Sequence, residues 1–168
     1  AISPVCPLHR LRSVYSQITR SLHAGGEQNA FRSIIDAWLL SIERRVESRE
    51  GSDLHDEDLE QMTLREVEHA LADISMLNAP VAAVIRTYYL ANNAADFKTA
   101  QAAIGWLSGD PNIGREMKQK AGIKGEIEDS SVFALLQALP IFSLGAGYKG
   151  IAVAIDELEI TQTFPRNL

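Results

Sequence analysis

Between Leu8 and Phe142 the apolar residues of this chain recur at intervals of three and four, and that spacing commits it to a mainly helical fold. In PLHRLRSVYSQITRSLHAGG the stripe is Leu8, Leu11, Val14, Ile18 and Leu22. Pro7 suits a first turn there, and Gly25-Gly26 closes the pattern. A second helix is expected from Asn29 to about Arg49, with Phe31, Ile34, Ile35, Trp38, Leu39, Ile42 and Val46 on one face. EGSDLHDEDLEQ, polar and acidic, reads as a surface loop, and Thr63 with Glu66 as a capping box opening the next helix. Leu64, Val67, Leu71 and Ile74 supply its buried face. Pro80 suits the first turn of a helix carrying Val81, Val84, Ile85 and Tyr88. AADFKTAQAAIGWLSGD is again helical, and a short polar helix is expected near IGREMKQKAG. The last helix starts near Ser130 and presents Val132, Leu135, Leu136, Leu139 and Phe142. Pro140 should kink it or end it early, and Gly145 and Gly147 stop it.

The bulk chemistry narrows the function classes. A chain of 168 residues can bury one real core. A net charge of −6 gives no support to general binding of nucleic acid or anionic membrane, although Arg44-Arg45 could form a local basic patch. The single cysteine, Cys6, allows no internal disulfide and points to a reducing cytoplasm. No apolar run is long enough to span a bilayer, and the N-terminal AISPVCPLHRLRS lacks the apolar stretch of a signal peptide.

One segment breaks the helical pattern. In GYKGIAVAIDELEI, Ile151 to Ile155 is apolar on both faces, as in a strand covered by helices on both sides, and it runs directly into Asp156 and Glu157. Ligands of open α/β sheets bind at the carboxyl ends of strands. Several apolar residues followed by Asp-Glu is the Walker B pattern of P-loop NTPases. There the first carboxylate holds Mg²⁺ through its waters, and the second orients or deprotonates the water attacking the γ-phosphate. On these residues alone the motif is weak, and a strand meeting a solvated acidic loop is the favoured reading. No G-x-x-x-x-G-K-S/T occurs. GDPNIGRE, Gly109 to Glu116, has the glycine spacing but follows a helix and carries Arg115 and Glu116 at the critical places, so it reads as a turn between helices.

Other candidates point to ordinary structure. His9, His23, His55 and His69 have no metal-binding spacing. Asp53, His55, Asp56 and Asp58 lack the glycine and closing glutamate of a calcium loop. Trp38 and Trp106 sit among aliphatic residues at helical spacing and read as core, Arg44-Arg45 as an exposed helix face, and Cys6 has no partner that marks it as a nucleophile.

The stretch GIKGEIEDSSVFALLQALPIFSLGAGYKGIAVAIDELEITQTFPRNL resembles the ATP-binding proteins of the BREX bacterial phage-defence systems, a P-loop family. Gly-Tyr-Lys-Gly before the strand, Asp-Glu-Leu-Glu after it and the following PRNL carry the likeness, which extends upstream through AIGWLSGD and PLHRLRSVYSQITRSL. The resemblance implies Asp156 for the magnesium and ATP, Glu157 for the water, and matching but unassigned positions at Glu159 and Arg166. It also implies that the phosphate loop lies upstream of residue 1, so that these residues form a piece of an α/β ATPase that by itself binds ATP weakly or not at all.

The expected architecture is therefore mainly α with a minor β component: one partial P-loop domain over residues 1–168, with a helical insertion at 27–120 and a helix–strand unit carrying the Walker B acids at 121–168. Residues 152–155 are expected to pair with residues 1–5 or with another copy of the chain. The expected partners are ATP and other defence-system proteins, with a homo-oligomer open and no membrane. The alternative function is a non-catalytic helical module, in which residues 27–120 contact other defence components and the acids are structural.

Overall fold

The computed structural model describes residues 10–50, 55–124 and 127–154. Eight helices and one small hairpin occur among them: α1 (Leu11–Arg20), β1 (His23–Ala24), β2 (Glu27–Gln28), α2 (Phe31–Glu50), α3 (Asp56–Ala70), α4 (Ala72–Leu77), α5 (Ala79–Asn93), α6 (Phe97–Leu107), α7 (Arg115–Lys120) and α8 (Asp129–Gly145). The fold is mainly α with minor β, as the apolar spacing requires.

Helix α2 packs against α3 and α8, while α5 packs against α4, α6 and α8. Ile35, Ile42, Ile74, Ile85, Tyr88, Leu135 and Phe142 are among the fully buried side chains where these helices meet. Trp38 and Trp106 both lie in this core, and Arg44 and Arg45 are exposed. Helix α5 starts where Pro80 suggested, with the Asn78 side chain accepting a hydrogen bond from the Val81 N–H at 3.1 Å.

Several expectations are corrected. The capping box at Thr63 does not exist: α3 begins at Asp56, and Thr63 is a buried residue in its middle. The acids Glu57, Asp58 and Glu60 fall in the first turns of that helix, where the positive end of its dipole favours them, so the acidic run from Asp56 on is a helix start rather than a loop, while residues 51–54 lie outside the described residues. The stripe assigned to α1 is rotated. Leu11 is exposed and Val14 and Ile18 are half-buried, whereas Tyr15 and Thr19 are buried. Their hydroxyls explain this, because both reach carbonyls at the end of α6. Tyr15 Oη donates to Leu107 O at 2.5 Å, and Thr19 Oγ1 donates to Ser108 O at 2.7 Å. Gly25-Gly26 ends α1's pattern as a hairpin turn, with positive φ at both residues and His23 opposite Gln28. Finally, α8 does not end at Pro140. The proline is exposed, so water can reach the Leu136 carbonyl that has lost its helical partner, and the helix runs on to Gly145.

The strand expected from Ile151 to Ile155 is not formed among the described residues. Residues 151–154 belong to no ladder, and Ile155, together with the proposed partner residues 1–5, lies outside the described residues.

Candidate functional site

The approach to the acids is set by the end of α8. Val132, Leu135, Ala138, Leu139 and Phe142 face the core, and the Phe142 ring lies 4.9 Å from that of Trp38. One turn on, Gly145 passes so close to Trp38 that a Cβ there would overlap Cδ1 and lie 3.0 Å from Nε1. The helix then stops in a Schellman motif. Gly147, at φ +89°, donates to Leu144 O at 3.0 Å, and the Tyr148 N–H donates to Ser143 O at 2.9 Å. Gly150, at φ +145°, holds a backbone conformation that favours glycine.

After this turn residues 148–154 run beside the end of α1 and the β1–β2 hairpin. Ile151 is half-buried against the core, while Ala152, Val153 and Ala154 are exposed. A cavity of about 460 Å³ opens here, walled in part by Ile18, Leu22, Ile34, His23, Ser143 and Tyr148. Ser143 is 1% exposed, and its Oγ has no hydrogen-bond partner. No backbone hydrogen bond is formed by residues 151–154 among the described residues.

The described chain ends at Ala154, two residues before Asp156. Asp156, Glu157, Glu159 and Arg166 lie outside the described residues, as do Cys6, His9 and Asp53. His23, His55 and His69 are exposed and far apart in sequence, and no group of three or more His, Cys, Asp or Glu among the described residues could hold a metal ion. The turn at GDPNIGRE is a helix-to-helix connection. Gly109, at φ +77°, follows α6, Asp110 Oδ1 accepts from the Asn112 N–H at 2.9 Å, and Gly114 caps α7.

Two polar clusters were not legible in the sequence. Tyr88 Oη donates to Asp36 Oδ1 at 2.5 Å, with Arg32 Nε 3.5 Å from the other carboxylate oxygen. Burial first, and the Asp36 carboxylate second, hold the Tyr88 phenol above its ordinary pKa. Two turns further along α2, Glu43, Glu47 and Glu60 line a small cleft with Tyr89 and Asn93. Burial, and then the neighbouring Glu47, raise the Glu43 carboxyl above the usual range. The i, i+4 spacing of Glu43 and Glu47 was readable, but the arrival of Glu60 depends on how α3 packs.

The family model described as BREX system ATP-binding protein BrxC/D matches residues 1–168, the whole chain. The chain belongs to this family. No curated protein and no solved structure matches it. The family's name makes ATP the ligand to be accommodated, and the match takes in the apolar run and the acids that follow it. Among the described residues no helix is long and apolar enough to cross a membrane.

Proposed function

We propose that this chain supplies the acidic half of a magnesium–ATP site in a BREX phage-defence ATPase. Asp156 would hold the metal, and Glu157 would orient or deprotonate the water that attacks the γ-phosphate. Magnesium, when bound, neutralises charge on the phosphate oxygens. Paired carboxylates are the hard oxygen donors such an ion prefers.

The observation that carries this reading is the match of an ATP-binding family along the full chain, including IAVAIDELE. The geometry of α8 supports it. Besides its core face, the helix exposes Phe133, Ile141 and Leu144. A helix apolar all round suits a place between a helical layer and a sheet. In this reading residues 121–168 form a helix–strand unit of a P-loop α/β core, residues 27–120 a helical insertion, and residues 1–168 together one partial domain. The 168 residues contain no G-x-x-x-x-G-K-S/T, so the phosphate cradle comes from sequence outside them. The chain alone then shows little heat when titrated with Mg-ATP.

The test uses the intact protein. Asp156→Asn is expected to weaken Mg-ATP binding by about tenfold or more. Glu157→Gln is expected to leave binding in place and slow hydrolysis by about 10²-fold or more. A second reading, a helical interaction module built on residues 27–120, is favoured by the exposure of Met76 (81%) and Phe97 (69%). Unchanged affinity and hydrolysis in both variants would select the module and reject the acidic site.

A further inference from the structure

Surface charge on this chain is paired along much of the bundle and left over in two places. Arg20, Arg32, Arg49 and Arg86 each lie within ion-pair distance of an acid. Around α7 the pattern fails. Arg115, Lys118 and Lys124 have no acidic partner among the described residues. In a chain of net charge −6, these three cations line a cleft of about 690 Å³ with no carboxylate among its described lining residues. Its apolar wall is Pro111, Ile113 and Ile123. The turn that ends α7 brings Lys118 and Lys124 to one cleft. Gly122, at φ +66°, donates to Gln119 O at 3.1 Å, and the Ile123 N–H donates to Lys118 O at 2.8 Å. The opposite surplus is on α3. Glu57, Asp58 and Glu60, in its first turns, are exposed and have no cationic partner among the described residues, and Leu59 among them is half-buried.

We propose that the α7 cleft of one copy of this chain receives the acidic first turns of α3 from a second copy. Within one chain α7 packs on α6 while α3 packs on α2 and α4, and no ion pair joins the two clusters among the described residues. Between copies each cluster supplies what the other lacks. Arg115, Lys118 and Lys124 meet Glu57, Asp58 and Glu60, and the aliphatic wall of the cleft lies where Leu59 can cover it, an apolar centre with a charged rim. A nucleic acid fits less well, because no aromatic side chain among the described lining residues offers a base a stacking surface. The giving and receiving patches differ, so every copy can do both, and association continues beyond a pair unless the assembly closes on itself. Exposed ion pairs are individually weak, which makes the contact reversible and sensitive to salt. It does not depend on what Asp156 and Glu157 do.

Sedimentation equilibrium of the 168-residue chain tests it, with far-UV dichroism as the control for folding. At about 0.05 M salt the mean mass is expected to rise above that of the monomer as concentration increases. At about 1 M salt, where the screening length is about 3 Å, it is expected to fall back. Lys118→Glu with Lys124→Glu, and separately Asp58→Lys with Glu60→Lys, are each expected to raise the dissociation constant about tenfold or more. An equal mixture of the two variants is expected to associate as the parent does, because every cleft then meets an α3 of opposite sign. Should the α3 variant fail to fold, the cleft variant and the salt series decide. A monomer at every concentration up to about 1 mM overturns the proposal. So does association that ignores salt, that survives either pair of charge reversals, or that mixing two folded variants does not restore. Asp156→Asn leaves the association unchanged, so failure of the nucleotide reading and failure of this contact are separate results.

Discussion

Replacing Gly145 by alanine sets two known effects against each other. In a solvent-facing helix the change favours the folded state by about 1 kcal/mol. Here the new methyl would be driven into the edge of the Trp38 indole, overlapping Cδ1 and 3.0 Å from Nε1. The indole cannot simply swing away. It is 3% exposed and packed on Phe142 with ring centroids 4.9 Å apart and planes tilted by 55°. Overpacking of a well-packed core costs about 1–3 kcal/mol, and a stiff ring backed by a second ring puts this site near the top of that range. The net expectation is a loss of about 2 kcal/mol, or a fall in Tm of about 4–8 °C for a chain of this size. Urea unfolding followed by far-UV dichroism and by tryptophan fluorescence measures it, with the midpoint moving and the slope constant. The cycle with Trp38→Leu, which clears the space, should show a coupling of about 1 kcal/mol or more. Gly145→Ala as stable as the parent, or strictly additive with Trp38→Leu, would refute the close approach as the reason for glycine.

Two further outcomes follow from the polar contacts. Tyr15→Phe keeps the ring but leaves the Leu107 carbonyl without its phenol, and equilibrium unfolding should show a loss of about 1–2 kcal/mol. Glu43→Gln should stabilise the protein at neutral pH. The folded-state pKa of Glu43 is raised by burial and by Glu47, so its ionisation disfavours the fold. That penalty is absent below the unfolded pKa and grows as pH rises through the folded one. The advantage of the glutamine variant in urea midpoint should therefore shrink as the pH is taken from 7 to about 3.5.

The long helices were legible because their periodicity is set by what they bury. Helices α2, α5 and α8 bury the residues their spacing assigned to the core, including Ile35, Ile85 and Leu135, with Leu136 alone half-buried. What sequence could not supply was the part determined by partners distant in the chain. The face of α1 turns on hydroxyl contacts spanning 92 and 89 residues, so a Tyr and a Thr that look amphipathic displace the aliphatic stripe. The start of α3 was misjudged because Thr63 and Glu66 satisfy a local pattern, while the acids upstream, better placed for a helix dipole, resemble a loop in composition. The hairpin was missed because two residues per strand carry no detectable alternation; only the Gly-Gly pair signalled it. For the candidate site, the acids and the turn before them were readable. The cavity and the orphan Ser143 hydroxyl were not, since both arise where α1, the hairpin and α8 meet.

The fate of Pro140 shows how local and distant forces share control of the path to the acids. Taken locally, a missing N–H and a ring clash end a helix. Ending here would leave the chain five residues, or about 7.5 Å of rise, short of its observed turn. It would also forgo everything those residues make: the burial of Phe142 against Trp38, the close pass of Gly145, and the Schellman bonds from Gly147 and Tyr148. Burying one phenylalanine is worth about 1.5–3 kcal/mol, comparable on its own to the cost of an interior proline, and the capping bonds add to it. Because Pro140 faces solvent, the cost falls toward its lower end while the gains are kept. The helix therefore continues, and the direction in which residues 148–154 leave for Asp156 is fixed by Trp38 and two glycines rather than by the proline.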